Sequence, residues 1–125
     1  MARKDTGFTL IELMVVMVII AMLVAIAAPR YFNHIDRAKE AALKQSLNVM
    51  RDAIDKFHGD RGHYPASLDE LVERHYLRNV PVDPLTDNAT TWVTTPPPDT
   101  NADAAYDVHS GAPGQGSDGK PYAEW

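Results

Sequence analysis

The chain has 125 residues, with 12 Lys and Arg against 17 Asp and Glu, so its formal net charge is −5, and it contains no cysteine. A disulfide, a thiol nucleophile and a cysteine-ligated zinc site are therefore excluded. The acidic balance also argues against general nucleic-acid binding, which requires clustered Lys and Arg to neutralise phosphates.

The segment from Phe8 to Pro29 is long and apolar enough to span a bilayer. It reads FTLIELMVVMVIIAMLVAIAAP, and its only charged residue is Glu12. As a helix rising 1.5 Å per residue it would extend about 33 Å, against about 30 Å for the hydrocarbon core of a membrane. A helix in a soluble core would carry a polar stripe, which this segment lacks. We expect a transmembrane helix over residues 8–29.

Residues 30–58 have the pattern of an amphipathic helix. Their apolar side chains recur at intervals of four and three, which predicts one apolar stripe, extended towards the N-terminus by three further residues. Charged residues, Glu40 and Arg51 among them, are assigned to other faces. Because no Gly or Pro lies between Arg30 and His58, we expect one helix from Phe8 to His58, ended by Gly59. The stripe consists of Leu43, Leu47, Met50, Ile54 and Phe57, and the extension of Ile35, Ala38 and Ala42.

Residues 59–125 are predicted to form a small globular head. Residues 67–70, Ser-Leu-Asp-Glu, match a helix capping box, which predicts a short helix over residues 68–76. Strands are predicted over residues 91–95 and 105–109, with three consecutive prolines limiting their pairing. The head is too small to build a core alone, so the apolar stripe must supply one wall. The expected fold class is α+β, with a long N-terminal helix packed on a head containing a short helix and a small antiparallel sheet.

Two interpretations of the N-terminus compete. Arg3 and Lys4, the apolar run and the small residues at 25–27 fit a secretory signal peptide cut after Ala27. Glu12 opposes this interpretation, because a carboxylate in a membrane span costs a few kcal/mol and usually marks function. The first residue of the mature protein, Ala28 or Phe8, distinguishes this interpretation from the one that follows.

The segment from Lys4 to Glu12, KDTGFTLIE, resembles the class III signal of type IV pilins and pseudopilins. The resemblance implies that residues 1–7 are a cytoplasmic leader, cleaved after Gly7 by a prepilin peptidase, and that the new Phe8 amine is N-methylated. Glu12 then occupies the fifth position of the mature chain, where the family keeps a carboxylate. Pro29 falls where many members place a proline in the span.

The start of the head narrows the resemblance to one subfamily. Residues 62–65, Gly-His-Tyr-Pro, and residues 76–84, YLRNVPVDP, resemble the major pseudopilin of type II secretion systems. This chain departs from that pattern at Leu85, where the family usually has Trp. Many members bind calcium near the C-terminus through a loop and a later pair of aspartates. Here the pair is missing, and Asp118 and Glu124 are the predicted calcium ligands, because Ca²⁺ prefers carboxylate and carbonyl oxygens.

The resemblance also implies roles for two residues of the apolar segment. A carboxylate in a bilayer lacks water, so Glu12 would pair with the Phe8 amine of an adjoining subunit and fix the stagger between neighbours. Pro29 removes one helical amide and clashes with the preceding turn, so a kink or local melting is expected over residues 25–29.

The function implied is that of a structural subunit and not an enzyme. The chain would be a single-pass inner-membrane protein with a periplasmic head, forming a homopolymer that supports protein export across the outer membrane. Its partners would be the prepilin peptidase, minor pseudopilins, the inner-membrane assembly platform and, before assembly, membrane lipid. One alternative is the major subunit of a type IV pilus, and another is a secreted or membrane-anchored periplasmic domain.

Overall fold

The computed structural model describes residues 6–99 and 103–125. Two helices, α1 over Leu10–Arg61 and α2 over Leu68–Glu73, precede the strands β1, Val93–Thr95, and β2, Asp107–His109. A 3₁₀ turn follows at Tyr122–Glu124. The predicted α+β architecture is confirmed. The chain divides into two compact units, Met1–Asp36 and Arg37–Trp125.

In the first unit, α1 exposes apolar side chains all around its circumference. Helix α1 is long and apolar enough, by length and composition, to cross a membrane. Its assignment continues through Pro29, because a proline removes only one amide donor while the neighbouring helical bonds persist. Of the two effects predicted at residues 25–29, local melting is therefore absent from this structure, and the kink stays a prediction.

Helix α1 ends at Arg61, three residues later than expected. Gly59 lies within the helix, and Gly62 follows it with a φ of 75°. The Gly62 amide donates to the His58 carbonyl at 2.8 Å. A left-handed glycine just after the last turn is a common helix C-terminus, because glycine lacks the Cβ that disfavours positive φ. The prediction that Gly59 ends the helix is therefore wrong.

The core of the second unit is built on the predicted stripe of α1. All five stripe residues are at most 2% exposed, and they pack with residues of α2, β2 and the loop after α2. Partly buried aromatic side chains, including Trp92 and Trp125, cover this cluster. The stripe is confirmed as one wall of the core. Its buried partners are Leu68, Leu71, Leu77 and Val108.

The N-terminal extension of the stripe is wrong in part. Ala38 and Ala42 are exposed and Ile35 is half-buried, whereas Glu40 is only 9% exposed. Glu40 lies three residues before Leu43, so it continues the alternation of three and four that defines the buried face. Glu40, which was assigned to another face of the helix, therefore lies on the buried face of α1.

Helix α2 and the sheet complete the head. Ser67 caps α2 by accepting from the Glu70 amide at 3.4 Å, while Glu70 Oε2 accepts from the Ala66 amide at 2.6 Å. The helix ends at Glu73 instead of residue 76, because His75 adopts a φ of 66°. The strands β1 and β2 pair antiparallel within the two predicted segments. Their register joins Val93 to His109, Thr94 to Val108 and Thr95 to Asp107.

Candidate functional site

The N-terminus of α1 is closed by a reciprocal pair of hydrogen bonds. The Thr9 amide donates to Glu12 Oε2 at 3.1 Å, and the Glu12 amide donates to Thr9 Oγ1 at 3.2 Å. This is a capping box, which satisfies two amides that lack helical partners. Sequence reasoning identified this motif at Ser67 and missed it here, although Thr9-Leu10-Ile11-Glu12 has the same spacing.

The predicted processing residues lie immediately before the capping box. Gly7 and Phe8 precede the first residue of α1, and Phe8 is 87% exposed. Together with Thr6 and Glu12 they line a shallow cavity of about 170 Å³. Gly7, Phe8 and Glu12 therefore line the same cavity. The basic leader residues Arg3 and Lys4 lie outside the described residues.

The geometry leaves the Glu12 carboxylate able to accept a further partner. An ionised carboxylate has two oxygens and about four acceptor positions, of which the Thr9 amide uses one. The side chain also lies in the first turn of α1, where the helix dipole favours negative charge. The arrangement holds a carboxylate at a defined height on the apolar helix.

In the head, Glu40 is tied to a loop that lies far away in sequence. Its Oε1 accepts from the Ser117 amide at 2.8 Å and its Oε2 from Ser117 Oγ at 2.7 Å. The Tyr122 hydroxyl also donates to Oε1, at 3.3 Å. The Ser117 hydroxyl bond, aided by the Ser117 amide and Tyr122, lowers the pKa of Glu40 below its ordinary value, although burial and the nearby Asp118 oppose this shift.

Arg51 is a second connection that sequence reasoning placed on an outer face. Its Nε donates to Asp107 Oδ1 at 2.8 Å, and its Nη2 donates to the main-chain oxygens of Val108 and Trp125 at 2.9 and 2.5 Å. His109 Nδ1 also lies 2.8 Å from that Trp125 oxygen. The planar guanidinium can meet several acceptors at once, so Arg51 joins α1 to β2 and to the chain after the sheet.

Asp83, part of the Val-Asp-Pro string, is a buried structural residue. It is 0% exposed, and its Oδ2 accepts from Ser110 Oγ at 2.5 Å while its Oδ1 accepts from the Leu85 amide at 2.9 Å. Ser110 Oγ in turn accepts from the Ala112 amide at 3.1 Å. Asp83 therefore connects the segment before β1 to the segment after β2.

The two predicted calcium ligands have different surroundings in the structure. Asp118 Oδ1 accepts from the Lys120 amide at 3.0 Å, and Glu124 is an exposed residue of the 3₁₀ turn. Within residues 6–99 and 103–125, no group of three or more His, Cys, Asp and Glu side chains is placed to hold a metal ion. Calcium binding at this end of the chain stays a prediction.

Comparison with known proteins identifies the family. A family model described as a prokaryotic N-terminal methylation motif matches residues 2–28. The type II secretion system core protein G of Pseudomonas aeruginosa is 34% identical over 98 residues, which cover 66% of this chain and 69% of the relative. The chain belongs to the core protein G family of type II secretion pseudopilins. The Escherichia coli K12 core protein G is 30% identical over 97 residues, covering 65% of this chain and 67% of the relative.

The chain is also similar to pilins. The type IV major fimbrial protein FimA of Dichelobacter nodosus is 49% identical over 55 residues, which cover 44% of this chain and 35% of that protein. No solved structure matches the chain significantly. The resemblance to pilins and pseudopilins is thus confirmed, and the chain is a membrane-anchored, pilin-like structural subunit.

Proposed function

We propose that the chain is the major structural subunit of a type II secretion pseudopilus, which supports protein export across the outer membrane. One observation carries the proposal: the similarity to core protein G extends over 98 residues and two thirds of both chains. The similarity to the pilin FimA covers 55 residues. The length of the match therefore favours a secretion pseudopilus over an extracellular pilus.

Before assembly, the subunit would span the inner membrane once, with the head in the periplasm. The exposed apolar surface of α1 supports insertion, since lipid can cover side chains that the chain itself leaves uncovered. The prepilin peptidase would cleave after Gly7, and the Phe8 amine would be methylated. The open Gly7–Phe8 junction gives that enzyme access to its bond.

During assembly, the apolar helix of each subunit would move from the lipid bilayer into the centre of a filament, where it packs against the same helix of other subunits. Glu12 would then accept the Phe8 amine of an adjoining subunit, because a buried carboxylate without a cation is costly. The capping box fixes the height of that carboxylate on α1, and only one stagger pairs it. Minor pseudopilins and the inner-membrane assembly platform would be the remaining partners, and the subunit would have no catalytic role.

Deletion of the gene, with complementation, tests the proposal. We expect exported proteins to accumulate in the periplasm of the deletion strain and secretion to return with the wild-type gene. Loss of surface pili with normal secretion would instead support the type IV pilus alternative. Unchanged pili and unchanged secretion would contradict both and support an anchored periplasmic domain.

Mass spectrometry of the mature protein tests the processing step. We expect a chain that starts at N-methylated Phe8, and no such product from Gly7→Val, because a β-branched side chain next to the cleaved bond would obstruct the peptidase. Ala66→Val, a matched change at an exposed position of the head, should be processed normally. A mature chain that starts at Ala28 would establish the signal-peptide interpretation instead.

A further inference from the structure

The segment from Gly114 to Tyr122, here named the C-terminal loop, is closed on itself by main-chain hydrogen bonds. The Gly116 amide donates to the Lys120 carbonyl at 2.8 Å, and the Tyr122 amide donates to the Gly114 carbonyl at 3.2 Å. Gln115 and Pro121 form an isolated antiparallel bridge. The loop is thus a small unit with its own internal pairing, and its position on the head depends on what fastens it to α1.

Glu40 provides that connection. Both of its oxygens bind Ser117, one through the main-chain amide and the other through the hydroxyl, and Tyr122 adds a third donor. The carboxylate is 9% exposed, and among the described residues no ion pair to it is shorter than 4.0 Å. Burial of a carboxylate is unfavourable unless hydrogen bonds compensate, and here neutral donors from the loop compensate.

A second contact, to the residue that packs against the loop, lies one turn further along α1. Lys44 Nζ lies 4.8 Å from the centre of the Trp125 ring, at a distance typical of cation–π attraction. The same ring is so close to Gly116 that a Cβ added there would lie 2.1 Å from it. Glu40 and Lys44 lie four residues apart on α1. Glu40 binds Ser117 of the C-terminal loop directly, and Lys44 contacts Trp125, whose ring lies against Gly116 of the loop.

The donor set of this region does not fit a calcium ion. Calcium is bound by six to eight oxygens, each of which directs a lone pair at the ion. Here the Ser117 amide, the Ser117 hydroxyl and the Tyr122 hydroxyl direct their hydrogens at Glu40. Asp118 Oδ1 accepts from the Lys120 amide, and within the described residues no group of three or more His, Cys, Asp and Glu side chains is placed to hold a metal ion. The loop presents donors to an anion, which is the opposite of what a cation requires.

We propose that the Glu40 carboxylate, supplied by α1 of the same chain, holds the C-terminal loop in place of the bound calcium that the pseudopilin resemblance implies. The head then reaches its folded state without a metal ion. Glu40 acts as a positioning residue: it places Ser117, and through the loop it places Tyr122 and Trp125 against α1.

Hydrogen exchange followed by mass spectrometry tests this proposal on the full chain in detergent micelles. Exchange of peptides covering residues 114–125 is measured in chelator and in millimolar calcium. We expect the same exchange rates in both conditions for the wild type. We expect Glu40→Gln to exchange about tenfold faster in both, because a hydrogen bond to a charged group contributes more than one to a neutral amide.

Three further variants separate anchoring from general destabilisation. Ser117→Ala removes only the hydroxyl bond and should accelerate exchange of the same peptides less than Glu40→Gln does. Asp118→Asn, which keeps an acceptor for Lys120 but weakens a calcium site, should exchange like the wild type. Glu73→Gln, a change at an exposed glutamate of α2, is the matched control and should also be unchanged.

Two results would overturn the proposal. Calcium-dependent protection of residues 114–125 that is lost in Asp118→Asn would establish a metal site in the loop. Wild-type exchange of the same peptides in Glu40→Gln, whatever the calcium concentration, would show that the carboxylate does not hold the loop.

Discussion

Glu12 and Glu40 lie on the same helix, and each accepts a hydrogen bond from a main-chain amide. The two partners differ in their distance along the sequence. Glu12 pairs with Thr9, three residues away, whereas Glu40 pairs with Ser117, 77 residues away. The bond to Thr9 leaves the Glu12 carboxylate able to accept a hydrogen bond from another molecule. The bonds to Ser117 use both oxygens of Glu40 within the chain. Glu12 is thus suited to the assembly contact that we propose, and Glu40 to folding of the subunit itself.

The largest expected effect breaks assembly without touching the head. We expect Glu12→Ala to insert into the membrane and lose its leader, but to form no filaments, because no carboxylate remains to fix the stagger. Electron microscopy of sheared cells measures filaments, and a melt in detergent should give the wild-type transition for the head. Normal filaments from this variant would exclude the pairing.

The converse change should unfold the head and leave the membrane helix inserted. Leu47→Asp places a carboxylate in the centre of the buried stripe, where loss of packing and desolvation together should cost more than about 4 kcal/mol. Limited proteolysis should degrade the head while membrane fractionation still recovers the anchor. Val49→Asp, at a 43% exposed position of the same helix, should resist proteolysis like the wild type. Equal resistance of the two variants would show that the stripe is not core.

Acid should weaken the Glu40 contact selectively. The pKa of Glu40 is lower in the folded chain than its ordinary value of 4.5, so its stabilisation is complete above that value and is lost as the pH falls through the lowered pKa. We expect the difference in melting temperature between wild type and Glu40→Gln to be constant from pH 7 to about pH 5 and to shrink below that. A difference that does not change down to pH 2 would contradict an ionised Glu40.

The smallest effect concerns Thr9, the local partner of Glu12. Thr9→Ala removes a helix cap, which typically costs about 0.5–2 kcal/mol, and should leave the Glu12 side chain less fixed. We expect fewer filaments than wild type but more than Glu12→Ala, and near wild-type amounts from Thr9→Ser, which keeps the hydroxyl. Quantified filament yield from sheared cells measures this order, and equal yields from Thr9→Ala and Thr9→Ser would show that the cap has no role in assembly.

Local patterns in the sequence predicted much of the fold. The apolar stripe, the Ser67 cap and both strand segments depend on residues within one or two turns, so spacing alone reveals them. The end of α1 was missed because Gly59 and Gly62 are equivalent by residue type, and only the φ of 75° at Gly62 separates them. The capping box at Thr9 was readable from its spacing.

The connections of the head could not be predicted in this way. Hydrophobic periodicity is calculated from apolar residues, so it cannot reveal that a carboxylate at a stripe position is buried. The partners of Glu40 and Arg51 lie 56 to 82 residues away, where sequence spacing carries no geometric information. Both residues look like ordinary solvated charges until the tertiary structure places a donor or an acceptor beside them.

The long range of the Glu40 contact also sets an order of events during biosynthesis. Chain elongation adds about 5–20 residues per second, so Ser117 is made about 4–15 seconds after Glu40. Through that interval the Ser117 and Tyr122 donors that later bind Glu40 have not been made, and the stripe beside it lacks the cover that later segments provide. The cover that Val108 and Trp125 give the stripe therefore forms late, after the segment beyond β2 has been translated, and until then that part of the stripe is open to chaperones and proteases.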